Sequence, residues 1–212
     1  IGTGTKNPSF VELFGTDPAA FVGNPDLIPE TSLGWDVGVR QTMLDGMVTV
    51  DLTYFNQNLE NEITTVYDAI WTPKTVVNAA GLSTRQGVEL AATLDLFNGF
   101  TASGSYTYTD SRDPAGLIEA RRPVHTGVIN LAYSFEEIPL RVNTEVVMVG
   151  ESEDFGVTLP GYSLLNGGLN YQVNDSLEVY GRVHNLFDTS YQTAAGYNNP
   201  GRTFYVGAKA KF

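Results

Sequence analysis

The sequence predicts an all-β fold, an antiparallel transmembrane β-barrel, with about nine strands written into its residues. Three observations carry that expectation. Residues 33–44, 47–66, 84–97, 100–110, 123–135, 139–150, 162–173, 176–187 and 202–212 alternate polar and apolar side chains with the period of a strand. The connections between them also alternate. Tight-turn signals at Asp45-Gly46, Asn98-Gly99, Glu136-Glu137-Ile138 and Asn174-Asp175 are interleaved with long polar links near 67–83, 111–122, 151–161 and 188–201. One rim of a membrane barrel carries tight turns and the other carries loops. Finally, charge is segregated to one face of nearly every strand.

Composition agrees. There are 22 glycines, 11 tyrosines and 11 phenylalanines, 17% charged residues and no cysteine, and the mean hydropathy is −0.10. No stretch approaches the ~20 consecutive apolar residues of a membrane helix, whereas a barrel strand shows lipid only half its residues. The net charge of −12 argues against nucleic acid as a partner.

Taken in order, residues 1–32 read mainly as an outer loop. Pro8, Pro25 and Pro29 forbid ladder hydrogen bonds, and one helical turn is expected at Ser9–Phe14. In 84–97, Val88, Leu90, Ala92, Leu94 and Leu96 share a face opposite Gly87, Glu89, Ala91, Thr93 and Asp95. In 139–150, Leu140, Val142, Thr144, Val146 and Met148 oppose Arg141, Asn143, Glu145, Val147 and Val149. The same phase puts Asp36, Arg40, Asp51, Glu178, Arg182, Lys209 and Lys211 on polar faces. A charge on lipid at the bilayer midplane costs up to ~2–4 kcal/mol, so lipid exposure requires this segregation. A soluble sandwich segregates its faces too, but without so many charges and small residues along the polar side. Trp35, Tyr54, Phe55, Phe97, Phe100, Tyr106, Tyr108, Tyr133, Phe135, Tyr162, Tyr171 and Tyr180, near strand ends, suit interfacial girdles. The last strand places Phe204, Val206, Ala208, Ala210 and Phe212 on one face and ends on an aromatic residue.

Chemistry-bearing residues are sparse. The histidines, His125 and His184, both fall in strands, where packing or lumen roles are commoner than ligation. Glu151, Glu153 and Asp154 form an acidic run in a long link; they are weak calcium candidates that read more readily as a solvated rim. Arg121-Arg122 suits a structural role or an anionic contact. There is no Gly-x-Ser-x-Gly elbow, His-Glu-x-x-His pair or phosphate-binding loop, so neither catalysis nor a cofactor is expected.

Several ordered motifs resemble one family. Asn185-Leu186-Phe187-Asp188, Tyr191, Gly196-Tyr197, Pro200-Gly201-Arg202 and the terminal Phe212 resemble the closing signature of TonB-dependent outer-membrane receptors. Asn7-Pro8-Ser9-Phe10-Val11-Glu12-Leu13, Asn24-Pro25-Asp26-Leu27 and Pro29-Glu30-Thr31 look like its paired boxes. Gln86-Gly87-Val88-Glu89-Leu90, Tyr106-Thr107-Tyr108 and Arg122-Pro123 lie between them in family order.

The resemblance implies a barrel of about 22 strands around a plug, of which this chain would hold the C-terminal portion with the plug absent. It implies residence in the Gram-negative outer membrane and TonB-driven import of a scarce nutrient chelate. The implied partners are outer-membrane lipid, that chelate, TonB through a missing N-terminal region, and the assembly machinery through the closing strand. A ferric siderophore or cobalamin is favoured over haem, because residues 11–23, between the boxes, lack the histidine common in haem receptors. A passive porin or an adhesin-type barrel is the alternative. Ligand contacts are expected from loop aromatics, Tyr67, Trp71, Phe155, Tyr191 and Tyr197.

Overall fold

The computed structural model describes residues 1–17, 21–68, 72–96 and 98–211. Its main element is a ten-stranded antiparallel sheet. In sheet order the strands are β1 (Gly2–Lys6), β2 (Glu30–Met43), β3 (Val48–Glu60), β6 (Leu82–Asp95), β7 (Phe100–Arg112), β8 (His125–Ser134), β9 (Leu140–Val149), β12 (Tyr162–Asn174), β13 (Leu177–His184) and β14 (Thr203–Ala210). Two small hairpins stand apart, β4 (Ile63–Tyr67) with β5 (Pro73–Asn78), and β10 (Ser152–Asp154) with β11 (Val157–Leu159). The helix α1 covers Phe10–Phe14.

Sheet neighbours are chain neighbours except where a hairpin intervenes, which is the meander that alternating turns and loops dictate. The turn after β2 puts Leu44 and Asp45 at φ 54° and 53° before Gly46 at 93°, a left-handed pair that matches strand twist. The segment 1–32, expected to be mainly loop, also contains β1, which pairs with β2 from Gly2↔Gly34 to Lys6↔Glu30. Its Gly-Thr-Gly-Thr-Lys sequence offers no apolar alternation to announce a strand. The expected segment 47–66 divides into β3 and β4 at Asn61, where φ is 58°.

The chain forms two compact units, residues 1–37, 55–87 and 110–119, and residues 38–54, 88–109 and 120–212. In the second unit the ladder registers set the faces. One row set runs Phe100↔Tyr133↔Val142, Ala102↔Leu131↔Thr144 and Gly104↔Ile129↔Val146, then Leu165, Leu169 and Tyr171 on β12, Val179 and Val183 on β13, and Phe204 and Val206 on β14. Among the paired residues this face carries no Asp, Glu, Lys or Arg. The opposite face carries Arg141, Asn143, Glu145, Asn166, Asn170, Glu178, Arg182 and Lys209. There Asn166 donates to Glu145 at 2.8 Å and Asn170 to Glu178 at 3.0 Å. Arg40 pairs with Asp51 at 2.6 Å across β2 and β3.

The aromatics divide by face. Tyr106 and Tyr108 end the apolar face near the long links, and Phe100, Tyr133, Phe135 and Tyr171 end it near the tight turns, with Tyr133 and Phe135 edge to face at 4.8 Å. Tyr162 and Tyr180 lie instead on the polar face, so they leave the expected girdle. Phe97 is outside the described residues. Buried apolar side chains are few among the described residues: Leu27, Leu59, Val76 and Leu159.

Candidate functional site

The long links of the second unit converge on one carboxylate. Asp154 ends β10, and only 3% of it is exposed. Its Oδ1 accepts from Nε of Arg121 at 2.7 Å, and its Oδ2 accepts from the Ala195 N–H at 2.6 Å. The Arg121 N–H also donates to the Glu153 carbonyl at 2.6 Å. Three connections, after β7, β9 and β13, are thereby fastened together. The Ala195 N–H, followed by burial in the opposite sense and the Arg121 guanidinium, holds the Asp154 carboxyl below the usual range.

The hairpin tip beside this clamp is unusual. Phe155 and Gly156 form its two-residue turn at φ 50° and 88°. Such turns favour Asn, Asp or Gly at both central positions, and a bulky aromatic in the left-handed region is a true outlier. Phe155 is 55% exposed, and the Arg121 guanidinium lies 5.5 Å from its ring centroid.

The five expected ligand aromatics are thus distributed unevenly. Phe155 sits on the clamp. Tyr197 is 73% exposed, and its N–H bonds the Ala194 carbonyl at 3.1 Å, one residue from the clamped Ala195. Tyr191 is half-buried against Tyr162, ring centroids 4.4 Å apart. Tyr67 stands in the first unit at the end of β4, exposed, and Trp71 lies outside the described residues.

The acidic run departs from the expected solvated rim. Asp154 is buried with both oxygens engaged, Glu153 accepts from the Thr158 hydroxyl at 2.7 Å, and Glu151 is exposed. Among the described residues no three His, Cys, Asp or Glu side chains converge in metal-binding geometry.

The motif residues prove to be fasteners. Asn185 is buried with φ 52°, a conformation Asn tolerates well. Its side chain accepts from the Thr189 N–H at 2.8 Å and donates to the Thr189 carbonyl at 2.9 Å. Asp188 accepts from the Arg202 N–H at 2.7 Å, and Arg202 reaches back to the Leu186 carbonyl at 3.2 Å. A Cβ on Gly201 would lie 2.5 Å from Asp188 Oδ1, so a side chain there would push that carboxylate away from the Arg202 N–H. Leu186 bonds Leu165 through its N–H, Phe187 is exposed, and Phe212 is outside the described residues.

In the first unit, Ser9 and Glu12 form a capping box on α1 after Asn7 and Pro8. The Ser9 N–H, reinforced by its hydroxyl, holds the Glu12 carboxyl low. Phe10 is 77% exposed. Asn24 donates to the Val76 carbonyl at 3.1 Å and accepts from the Asp26 N–H at 3.0 Å; Pro25 is exposed and Leu27 buried. Sequence reasoning missed their partner Asn78, which bonds both backbone groups of Ile28. It also missed a polar network in which Arg85 makes a two-toothed contact with Glu119 at 2.9 and 3.2 Å. Buried Ser111 bonds Glu119, and buried Ser83 bonds Glu62. These partners lie 8 to 34 residues apart, beyond any local pattern.

Residues 1–186 match the family model described as TonB dependent receptor-like, beta-barrel. The chain is 32% identical over its whole length to the vitamin B12 transporter BtuB of Photobacterium profundum, covering 34% of that protein. It is 27% identical over 90% of its length to an iron-regulated outer membrane virulence protein of Vibrio cholerae, covering 32% of it. The solved copper transporter OprC shares the fold at a TM-score of 0.80 with 18% identity, over 99% of this chain and 36% of that one. The chain therefore spans about a third of the length of the curated relatives it matches. Ten antiparallel strands, faces sorted by polarity and a family model that matches most of the residues lead to one statement: this chain belongs to the TonB-dependent receptor β-barrels of the Gram-negative outer membrane.

Proposed function

We propose that the protein carrying this chain imports a scarce nutrient chelate by a TonB-dependent mechanism, and that cobalamin or a ferric siderophore fits better than haem. The long links then face the exterior and capture the ligand. The observation that carries this reading is the Asp154 clamp. It presents Phe155 and Tyr197, both exposed, from links held to one another, so a ligand meets large rigid aromatic surface already in place.

Two further points support the choice of ligand. A relative of 32% identity is named for vitamin B12. His125 lies on the apolar face, bonded to Tyr106, and His184, the histidine of the polar face, stands edge-on to Tyr205 with ring centroids 5.4 Å apart. Tyr191 in the same unit, and Tyr67 and Trp71 in the other unit taken by itself, are proposed as further ligand contacts. TonB and the assembly machinery are proposed partners on the strength of family membership.

The test is uptake of labelled cobalamin, ferric siderophores and haem by cells producing the intact receptor, with and without a functional TonB. TonB-dependent uptake of cobalamin or a siderophore, reduced about tenfold or more by joint alanine substitution of Phe155 and Tyr197, is expected. TonB-independent flux, or haem alone as cargo, refutes the reading.

A further inference from the structure

The apolar face carries a hollow that the transport reading does not use. The cross-strand row Tyr106, Gly127, Met148 and Ser163 borders a groove of about 520 Å3 at the end of the sheet where the long links begin. Its floor is made of backbone. Gly127, Gly150 and Gly161, from three adjacent strands or their extensions, line it without side chains. Backbone approaches closely at two of them: a Cβ on Gly161 would meet the Val149 carbonyl oxygen at 2.9 Å, and one on Gly150 would press on that of His125 at 3.1 Å.

The groove has a polar head. The Tyr106 hydroxyl lies 2.8 Å from Nδ1 of His125, and the Tyr108 ring lies 5.4 Å from the imidazole. His125 is exposed. With Nδ1 engaged, Nε2 is the ring's remaining polar atom. Arg121 and Arg122 stand on the same segment, four and three residues before it.

An apolar trough capped by one polar aromatic pair, on a face without formal charge, has the polarity profile of a single lipid molecule. The trough is continuous with the surface that an outer-membrane barrel gives to the bilayer. We propose that it is a specific lipid site, in which an acyl chain of outer-leaflet lipopolysaccharide lies along Gly127 and Met148 and its phosphorylated sugar meets His125. A phosphate oxygen accepts from the imidazole N–H.

The site is tested on the intact receptor purified from outer membranes, by native mass spectrometry with added bis-phosphorylated lipid A. The variants are His125→Ala, Tyr106→Phe, Met148→Trp to fill the trough, and Leu169→Trp elsewhere on the same face as a control, each checked for heat-modifiable gel mobility. Lipid A retention is expected to fall roughly tenfold in His125→Ala and Met148→Trp, about the weight of one lost charge-assisted hydrogen bond, and to stay level in Leu169→Trp. Phosphatidylglycerol and inorganic phosphate should not displace the bound lipid. The proposal is overturned by unchanged retention in His125→Ala, by an equal loss in the control, or by phosphatidylglycerol binding as tightly as lipid A.

Discussion

Replacing Asp154 with alanine should free three loops while leaving the ladder intact. Two hydrogen bonds disappear, one from the Ala195 N–H at 2.6 Å and one from Arg121 at 2.7 Å. Arg121 is half-exposed, 51% by its side chain, so water replaces much of what its bond supplies and that part is worth roughly 0.5–1 kcal/mol. The Ala195 N–H loses a charged acceptor whose own surroundings are buried, at a cost of about 1.5–3 kcal/mol. The sum of about 2–4 kcal/mol multiplies the open population of the affected loops by roughly 30- to 700-fold. Hydrogen–deuterium exchange on the intact receptor reads this directly. Amides around 193–197 and 119–122 should exchange faster by about that factor, with the β12–β13 ladder unchanged. Exchange at 193–197 within threefold of wild type would refute the clamp.

The same carboxylate gives the loops an acid limit. Its folded pKa is depressed, so its contribution is fully present above the ordinary carboxylate value, about 4, and is lost as pH falls through the depressed one. Pepsin cleavage near 190–200 should rise steeply only below about pH 4, and a flat profile from pH 5 to 2 would contradict this. Phe155→Asn should relieve about 1 kcal/mol of left-handed strain and slow exchange at the hairpin, yet weaken uptake, because the aromatic is gone. Uptake equal to wild type would detach Phe155 from ligand capture. Leu131→Arg on the apolar face should cost about 2–4 kcal/mol and impair assembly, whereas the neighbouring Asn130→Arg on the polar face should be tolerated, as judged by heat-modifiable mobility. Asn185→Ala removes both Thr189 bonds and should destabilise the adjoining link by about 2–3 kcal/mol, measured by its local exchange.

Strands and faces were legible because both obey a period of two that membrane contact enforces along the whole strand. Val142, Val146 and Met148 could be placed on one side before any pairing was known. The terminal fasteners were half legible. Asn185 and Asp188 stood out as a motif, but their role depends on left-handed backbone and on Arg202, 14 residues after Asp188. The clamp was illegible. Asp154 looked like one more acid in a polar link, and its partners lie 33 and 41 residues away. Nor did β4–β5 and β10–β11 announce themselves as separate hairpins, since strands of three to six residues leave too few alternations to detect.

The placement of the four buried apolar side chains has a practical consequence. Leu27, Val76 and Leu159 lie in long links or their hairpins, and Leu59 lies near the end of β3 just before such a link. The links keep small dry interiors of their own, as a water-soluble miniprotein does, while the strands borrow theirs from surrounding amphiphile. Changing the detergent should therefore retune the ladder and spare the links. Conversely, the links tied together by Asp154 can be exchanged for those of a relative only as a set, a division of labour that leaves untouched how the scaffold sits in a membrane.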